Sequence, residues 1–230
     1  METGFLRWDG RSFAPFTNFV LMKKLLLIAG ASVLLITSQQ AHAQYRGRGG
    51  NVSLGLKAGA SYTSFVGADS KNSAGNSNFD YRFGFLAGGF ANIGFARLFA
   101  FQPEIIYSQK GAYNNGSTDA GVRQHYVDVP LAFHVNTDGF FFEAGPQVGF
   151  LITAKNQNGA VSVANPQDYK SVDFGYLFGL GYQLKHGLGA GLRYNGAFSN
   201  FPASTTSGNT TVQYRIRNSA FQLYATYSFN

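Results

Sequence analysis

From Val52 to Phe229 nearly every strand-like stretch alternates a bulky apolar residue with a glycine or a polar one, and the charges keep to the glycine side. A period of two makes a β-strand with two unlike faces. In Val52–Val66 the even positions carry Val52, Leu54, Leu56, Ala58, Ala60, Tyr62 and Val66, and the odd ones include Ser53, Gly55, Lys57, Gly59, Ser61 and Thr63. Lys57, Arg82, Glu104, Lys110, Asp128, Glu143, Lys155, Asp173 and Arg193 each have the parity opposite to the Phe, Tyr, Leu and Val residues of their own segment. Arg215 and Arg217 break this rule.

Volume decides which face points inward. One face carries Phe83, Phe85, Phe99, Phe133, Phe142, Phe174, Phe178, Leu192 and Phe221, and the other Gly55, Gly59, Gly84, Gly88, Gly145, Gly149, Gly175, Gly179 and Gly191. A barrel of about eight strands has a bore just wide enough for side chains to fill, so the glycine-and-charge face suits the inside. An exterior of aromatic rings then needs lipid. A Lys or Arg facing hydrocarbon near the midplane costs about 2–4 kcal/mol, and a bilayer therefore imposes this exclusion of charge. The sequence predicts an all-β fold, an eight-stranded antiparallel up-and-down transmembrane β-barrel over 52–230, with short periplasmic turns and longer extracellular loops.

The strands are expected near Val52–Val66, Phe79 to Ile93, Leu98 to Tyr113, Val122 to Val135, Phe140 to Lys155, Ser171 to Leu184, Leu188 to Ser199 and Val212 to Phe229. Connections alternate short and long, as in outer-membrane barrels. Asn136-Thr137-Asp138-Gly139 and Lys185-His186-Gly187 offer tight turns. Pro103, Pro130 and Pro146 fall inside strands, where a missing N–H predicts bulges or irregular pairing. Phe79, Tyr81, Phe95, Phe99, Phe140, Tyr182, Tyr227 and Phe229 are candidates for interfacial girdles.

The 230 residues include no cysteine, with 45% hydrophobic residues and a mean hydropathy of -0.08. That is too polar for a bundle of membrane helices, each of which needs about 20 consecutive apolar residues. Leu25 to Ile36 is shorter, follows Lys23 and Lys24, and precedes Ala41-His42-Ala43. This order reads as a cleaved secretory signal over 22–43, with the mature chain starting at Gln44 and a glycine-rich lead-in over 44–51. Residues 1–21 form an extension of no clear role, and Met22 is the expected initiator. The absent cysteine excludes a lipid-modified N-terminal Cys, a thiol nucleophile and a disulfide. Formal charge is +7. Residues before Gln44 supply four positive and two negative charges, leaving +5 on the mature chain, too thinly spread for a nucleic-acid surface.

Several stretches match a known family in order. They are Pro103-Glu104-Ile105-Ile106-Tyr107-Ser108-Gln109-Lys110-Gly111, then Tyr126-Val127-Asp128-Val129-Pro130-Leu131, then Glu143-Ala144-Gly145-Pro146. Asp173-Phe174-Gly175, Gly179-Leu180-Gly181-Tyr182 and Arg193-Tyr194 continue the series. Together they resemble the PorT-like outer-membrane β-barrel family, often labelled "porin family", across Val52 to Phe229. The resemblance implies a barrel like the transmembrane domain of OmpA or OmpX in the outer membrane of a Gram-negative-type bacterium. It implies little about activity, although some relatives are linked to secretion and gliding machinery.

Within a narrow bore, Lys57, Arg82, Glu104, Lys110, Asp128, Glu143, Asp173 and Arg193 read as a lumen charge network, because unpaired charges there are costly. His125 and His134 are expected to face inward, yet Asp128 does not share a face with His125, so a hydrolase triad is not supported. Gly187-Leu188-Gly189-Ala190-Gly191 is no nucleotide loop, since its spacing of two fits a strand and no helix follows. No catalytic, cofactor-binding or metal-binding residues are expected. The leading reading is a non-enzymatic barrel with a structural or interaction role, its partners being outer-membrane lipid and envelope or secretion proteins that meet the long loops. The alternatives are a small-solute porin, an accessory of secretion machinery, and, outside the membrane, a lipocalin-type barrel with the faces reversed.

Overall fold

The computed structural model describes residues 52–164, 166–202, 205–207, 210–212 and 214–229. The extension, the signal segment and the lead-in expected over 1–21, 22–43 and 44–51 lie outside them. The strands are β1 (Val52–Val66), β2 (Phe79–Gly94), β3 (Phe99–Asn114), β4 (Gly121–Thr137), β5 (Phe140–Asn158), β6 (Val161–Ala164), β7 (Val172–Gln183), β8 (Leu188–Ala197), β9 (Thr205–Ser207), β10 (Thr210–Val212) and β11 (Arg217–Phe229). Antiparallel pairing runs β1–β2–β3–β4–β5–β7–β8–β11 and returns to β1. The sheet thus closes into an eight-stranded barrel, and closure leaves no open edge. β6 pairs back onto the loop end of β5, and β9 with β10 forms a hairpin within the loop between β8 and β11.

Local chemistry explains the turns. Asp138 and Gly139 both have positive φ, at 46° and 89°, the geometry of the two-residue hairpin turn that suits the twist of the flanking strands. Long connections gather at the opposite end, together with both one-turn 3-10 helices, Ala68–Ser70 and Pro166–Asp168.

The two faces separate as the alternation requires. Phe83, Phe85, Phe133, Phe142, Phe174, Phe178, Leu192 and Phe221 are exposed, while Lys57, Glu104, Asp128, Glu143 and Arg193 are buried. In a bilayer the exposed rings meet acyl chains. The bore nevertheless holds more apolar bulk than glycines and charges alone would give: Leu86, Ile106, Phe141 and Tyr224 pack together inside. Facing glycines make the room, since a Cβ on Gly55 would overlap the Phe90 ring and one on Gly181 the Phe141 ring. At the loop end Phe65, Ala112 and Phe201 form a second cluster, with Phe79 and Tyr169 against it.

Four expectations need correction. The prolines bring gaps in the ladder, as expected, but no bulge: pairing lapses at 91/103, 104/130 and 131/146 with the register unchanged on either side, and the register shifts fall at Tyr81/Leu86 and His125/Tyr126. The second irregularity turns Lys155 outward, where it is exposed. Arg215 precedes β11 and reaches Asp69 at 3.5 Å. Phe79 packs edge-on against Phe65, with centroids 5.1 Å apart, so it is not part of a girdle.

Candidate functional site

Four of the eight candidate charges meet near mid-barrel. Arg193 on β8 donates from Nη1 and Nη2 to Glu104 on β3 at 2.9 and 2.8 Å, and from Nε and Nη2 to Glu143 on β5 at 2.8 and 2.5 Å. Lys57 on β1 donates to Glu104 Oε1 at 2.6 Å. Two cations therefore balance two carboxylates. Arg suits this position because its planar fork serves two carboxylates bidentately.

Neutral groups complete the shell. Gln102 Nε2 donates to Glu104 Oε1 at 2.8 Å, Tyr224 OH donates to Glu143 Oε1 at 2.7 Å, and Asn92 Nδ2 donates to Gln102 Oε1 at 2.9 Å. Lys57 Nζ also sits 4.2 Å from the centre of the Tyr224 ring. Gly179 opens the remaining space, since a Cβ there would lie 2.7 Å from Glu143 Oε1. Burying an ion pair strands uncompensated charge unless the remaining lone pairs and protons are met, and here both carboxylates accept from several directions. Alternation alone points to Glu104 and Arg193 but not to Gln102 or Tyr224; the usable signal is that both share their neighbours' inward parity.

The other four candidates lie apart from this cluster. Lys110 Nζ donates to Asp128 Oδ1 at 2.9 Å, and Ser108 Oγ donates to Asp128 Oδ2 at 2.5 Å. Asp173 accepts from Ser199 and Asn218 at 2.5 and 3.0 Å, with no cation against it among the described residues. Arg82 donates to Gln157 Oε1 and lies over the Tyr113 ring at 4.5 Å. It has no carboxylate partner among the described residues.

The two histidines part company. His134 is buried, stacks on Phe141 at 5.1 Å and holds Nε2 3.4 Å from Glu143 Oε2. His125 belongs to the outer face, where its Nδ1 lies 2.6 Å from the Tyr107 hydroxyl. The expectation that both face inward fails for His125 because the inward positions of β4 are even, as Gln124, Tyr126 and Asp128 show.

On the short-turn side of the cluster a cavity of about 420 Å³ is lined by Ser53, Asn92, Gln102, His134, Tyr224 and Thr226, among others. On the loop side a small cavity of about 10 Å³ lies beside Lys110, Asp173 and Asn218. The arrangement is a wide vestibule below a cross-braced constriction.

Residues 38–203 match the family described as "Outer membrane protein beta-barrel domain". The chain belongs to that family. Membership of this family implies the outer membrane, which agrees with the exposed outer rings. Among solved structures the chain is similar to Neisserial surface protein A of Neisseria, with 16% identity over 78% of this chain and 99% of that one and a TM-score of 0.48. It is similar also to Ail, the attachment invasion locus protein of Yersinia pestis, with 12% identity over 77% and 98% and a TM-score of 0.42. A third is OprG of Pseudomonas aeruginosa, with 11% identity over 79% and 98% and a TM-score of 0.43. A comparison with curated proteins found no match.

Proposed function

We propose that this outer-membrane barrel is a sealed, non-enzymatic scaffold whose work is done by contacts at its long loops. One observation carries the reading: Lys57, Glu104, Glu143 and Arg193 tie β1, β3, β5 and β8 together through the centre of the bore. Passage of a hydrated solute would require breaking bonds between buried charges, which is costly because each charge left behind loses compensation that buried surroundings do not replace. Rigid barrels commonly present function on their loops, and the connections 67–78, 159–171 and 198–216 are the longest on this one.

Planar-bilayer recording with purified protein tests the seal. Silence of the wild type supports it, and discrete openings favour the alternative of a small-solute porin, for which the vestibule is the supporting feature. Within the family we place the chain with PorT-like members on the stretches Pro103 to Gly111 and Tyr126 to Leu131. That placement makes an accessory of secretion machinery the loops' expected partner. Co-purification of the crosslinked, loop-tagged protein with secretion components supports it, and recovery of lipid alone goes against it.

A further inference from the structure

The vestibule on the short-turn side is wide by construction. Four bulky inward residues border it, Phe90, Phe141, Gln183 and Tyr224, and each is paired directly across the ladder with a glycine, respectively Gly55, Gly181, Gly189 and Gly191. The far end of each side chain lies over its glycine. A Cβ on Gly55 or Gly181 would overlap the tip of the Phe90 or Phe141 ring, one on Gly191 would come within 2.5 Å of the Tyr224 hydroxyl, and one on Gly189 within 2.5 Å of Gln183 Oε1. Side chains laid sideways on a neighbouring strand leave the axis clear. A bore of eight strands is otherwise just wide enough to be filled, and here about 420 Å³ stays open.

The lining selects its guest by exclusion. Four carboxamides, Asn92, Gln102, Asn136 and Gln183, and the hydroxyls of Ser53 and Thr226 border the space. Among the described residues no Asp or Glu lines it, and its one lysine, Lys185, is exposed in the turn at the mouth. The carboxylates at its inner end, Glu104 and Glu143, are already balanced by Lys57 and Arg193. A charged guest would therefore give up its hydration without meeting a buried counter-charge. An apolar guest would cover the carboxamides and hydroxyls without replacing their hydrogen bonds to water.

A neutral molecule rich in donors and acceptors escapes both penalties. Each carboxamide carries two donors and an oxygen with two lone pairs. Asn92 Nδ2 makes one bond within the protein, to Gln102 Oε1 at 2.9 Å, which leaves its second N–H and its oxygen for a guest. Shape narrows the class further. The Phe90 ring and the His134 ring, which stacks on Phe141 at an interplanar angle of 14°, give the space flat walls between its polar groups. A sugar ring, with hydroxyls at its rim and C–H groups on its faces, has the matching distribution, and the volume lies within the roughly 300–1,000 Å³ of small-molecule sites.

We propose that the vestibule is a binding site for a neutral sugar, a mono- or disaccharide unit that enters from the short-turn side and is held by Asn92, Asn136 and Thr226. The guest comes from the periplasm if the short turns lie there. Binding itself depends neither on that sidedness nor on the seal, because the site opens to one end and stops short of the brace.

Nuclear magnetic resonance titration of the full-length protein tests the site, in a zwitterionic detergent because alkyl glycosides would compete. The probes are N,N′-diacetylchitobiose, which is neutral, chitobiose, which has the same skeleton with free amines, and glucuronate. The neutral sugar should give saturable shifts at Asn92, Asn136 and Thr226 and none at Asn218 on the loop side, and both charged sugars should bind roughly tenfold more weakly or worse. Asn92→Leu/Asn136→Leu should weaken binding roughly tenfold, as expected for two lost hydrogen bonds. Gly189→Ala is a second variant that spares the fold, since its methyl group first meets the ends of the Gln183 and Thr226 side chains; it pushes Gln183 into the space and should weaken binding as well. Absence of saturable shifts, equal binding by the wild type and either variant, or tighter binding of a charged sugar overturns the proposal. Planar-bilayer recordings read the seal separately, because Asn92, Asn136 and Gly189 lie outside the four-residue brace.

Discussion

Arg193 and Glu104 stand on opposite walls of the barrel, four strands apart in either direction, and are joined by two hydrogen bonds of 2.8 and 2.9 Å. A contact along one wall would steady a hairpin. This one is a chord through the bore, so it fixes the barrel's cross-section as well as filling it. Glu143 accepts from the same guanidinium, and the brace becomes a three-point one.

Arg193→Met should cost about 3–5 kcal/mol, because it leaves Glu104 and Glu143 buried with Lys57 as their remaining strong cation. Urea unfolding of the protein reconstituted in lipid vesicles measures it. A change below about 1 kcal/mol would mean that the carboxylates are not compensated through Arg193.

The separation of the charges into clusters is testable by double-mutant cycles. Lys57→Met with Glu104→Gln should show a coupling of about 0.5–3 kcal/mol, whereas Lys57→Met with Asp128→Asn should add within about 0.5 kcal/mol. Comparable coupling in both cycles would indicate one network running the length of the bore.

Leu192, exposed on β8 between Leu180 and Leu223, should tolerate Met but not Arg. Leu192→Arg is expected to destabilise the reconstituted barrel by about 2–4 kcal/mol. A neutral effect would place this face outside the hydrocarbon.

Tyr169, in the loop after β6, is pushed up to about 12, first by burial and second by the neighbouring Asp168 carboxylate. Its hydroxyl donates to Asn156 Oδ1 at 2.7 Å. A raised folded value favours the neutral phenol, so its contribution to loop order is complete below the ordinary value of 10 and fades as pH rises through about 12. An ultraviolet phenolate titration should lose this late step in Tyr169→Phe. An unchanged curve would show that Tyr169 titrates like an exposed phenol.

The alternation located all the barrel strands because lipid and bore impose opposite chemistries on successive residues. Val52–Val66 has the ends expected for it, but β11 starts at Arg217 and not at Val212. The loop strands β6, β9 and β10 escaped because segments of three or four residues are too short to establish a period. His125 obeys the even-inward parity of β4, whereas Lys155 shows the limit of parity. A bulge inverts every position beyond it, and the register shift carries no proline to announce it. Pairing across the bore was less legible still: that Glu104 meets Arg193, 89 residues later, depends on strand stagger, which composition does not encode. The same reasoning explains why eight inward charges suggested one network, although Asp173 and Arg82 are served by neutral partners.

Sidedness of labelling tests the seal most directly. The chain contains no cysteine, so Thr226→Cys, in the vestibule on the short-turn side, supplies a single thiol in oriented proteoliposomes. A small membrane-impermeant thiol reagent should react when added from the short-turn side and fail from the loop side. Equal reaction from both sides would mean that the Lys57–Glu104–Arg193–Glu143 brace does not close the bore.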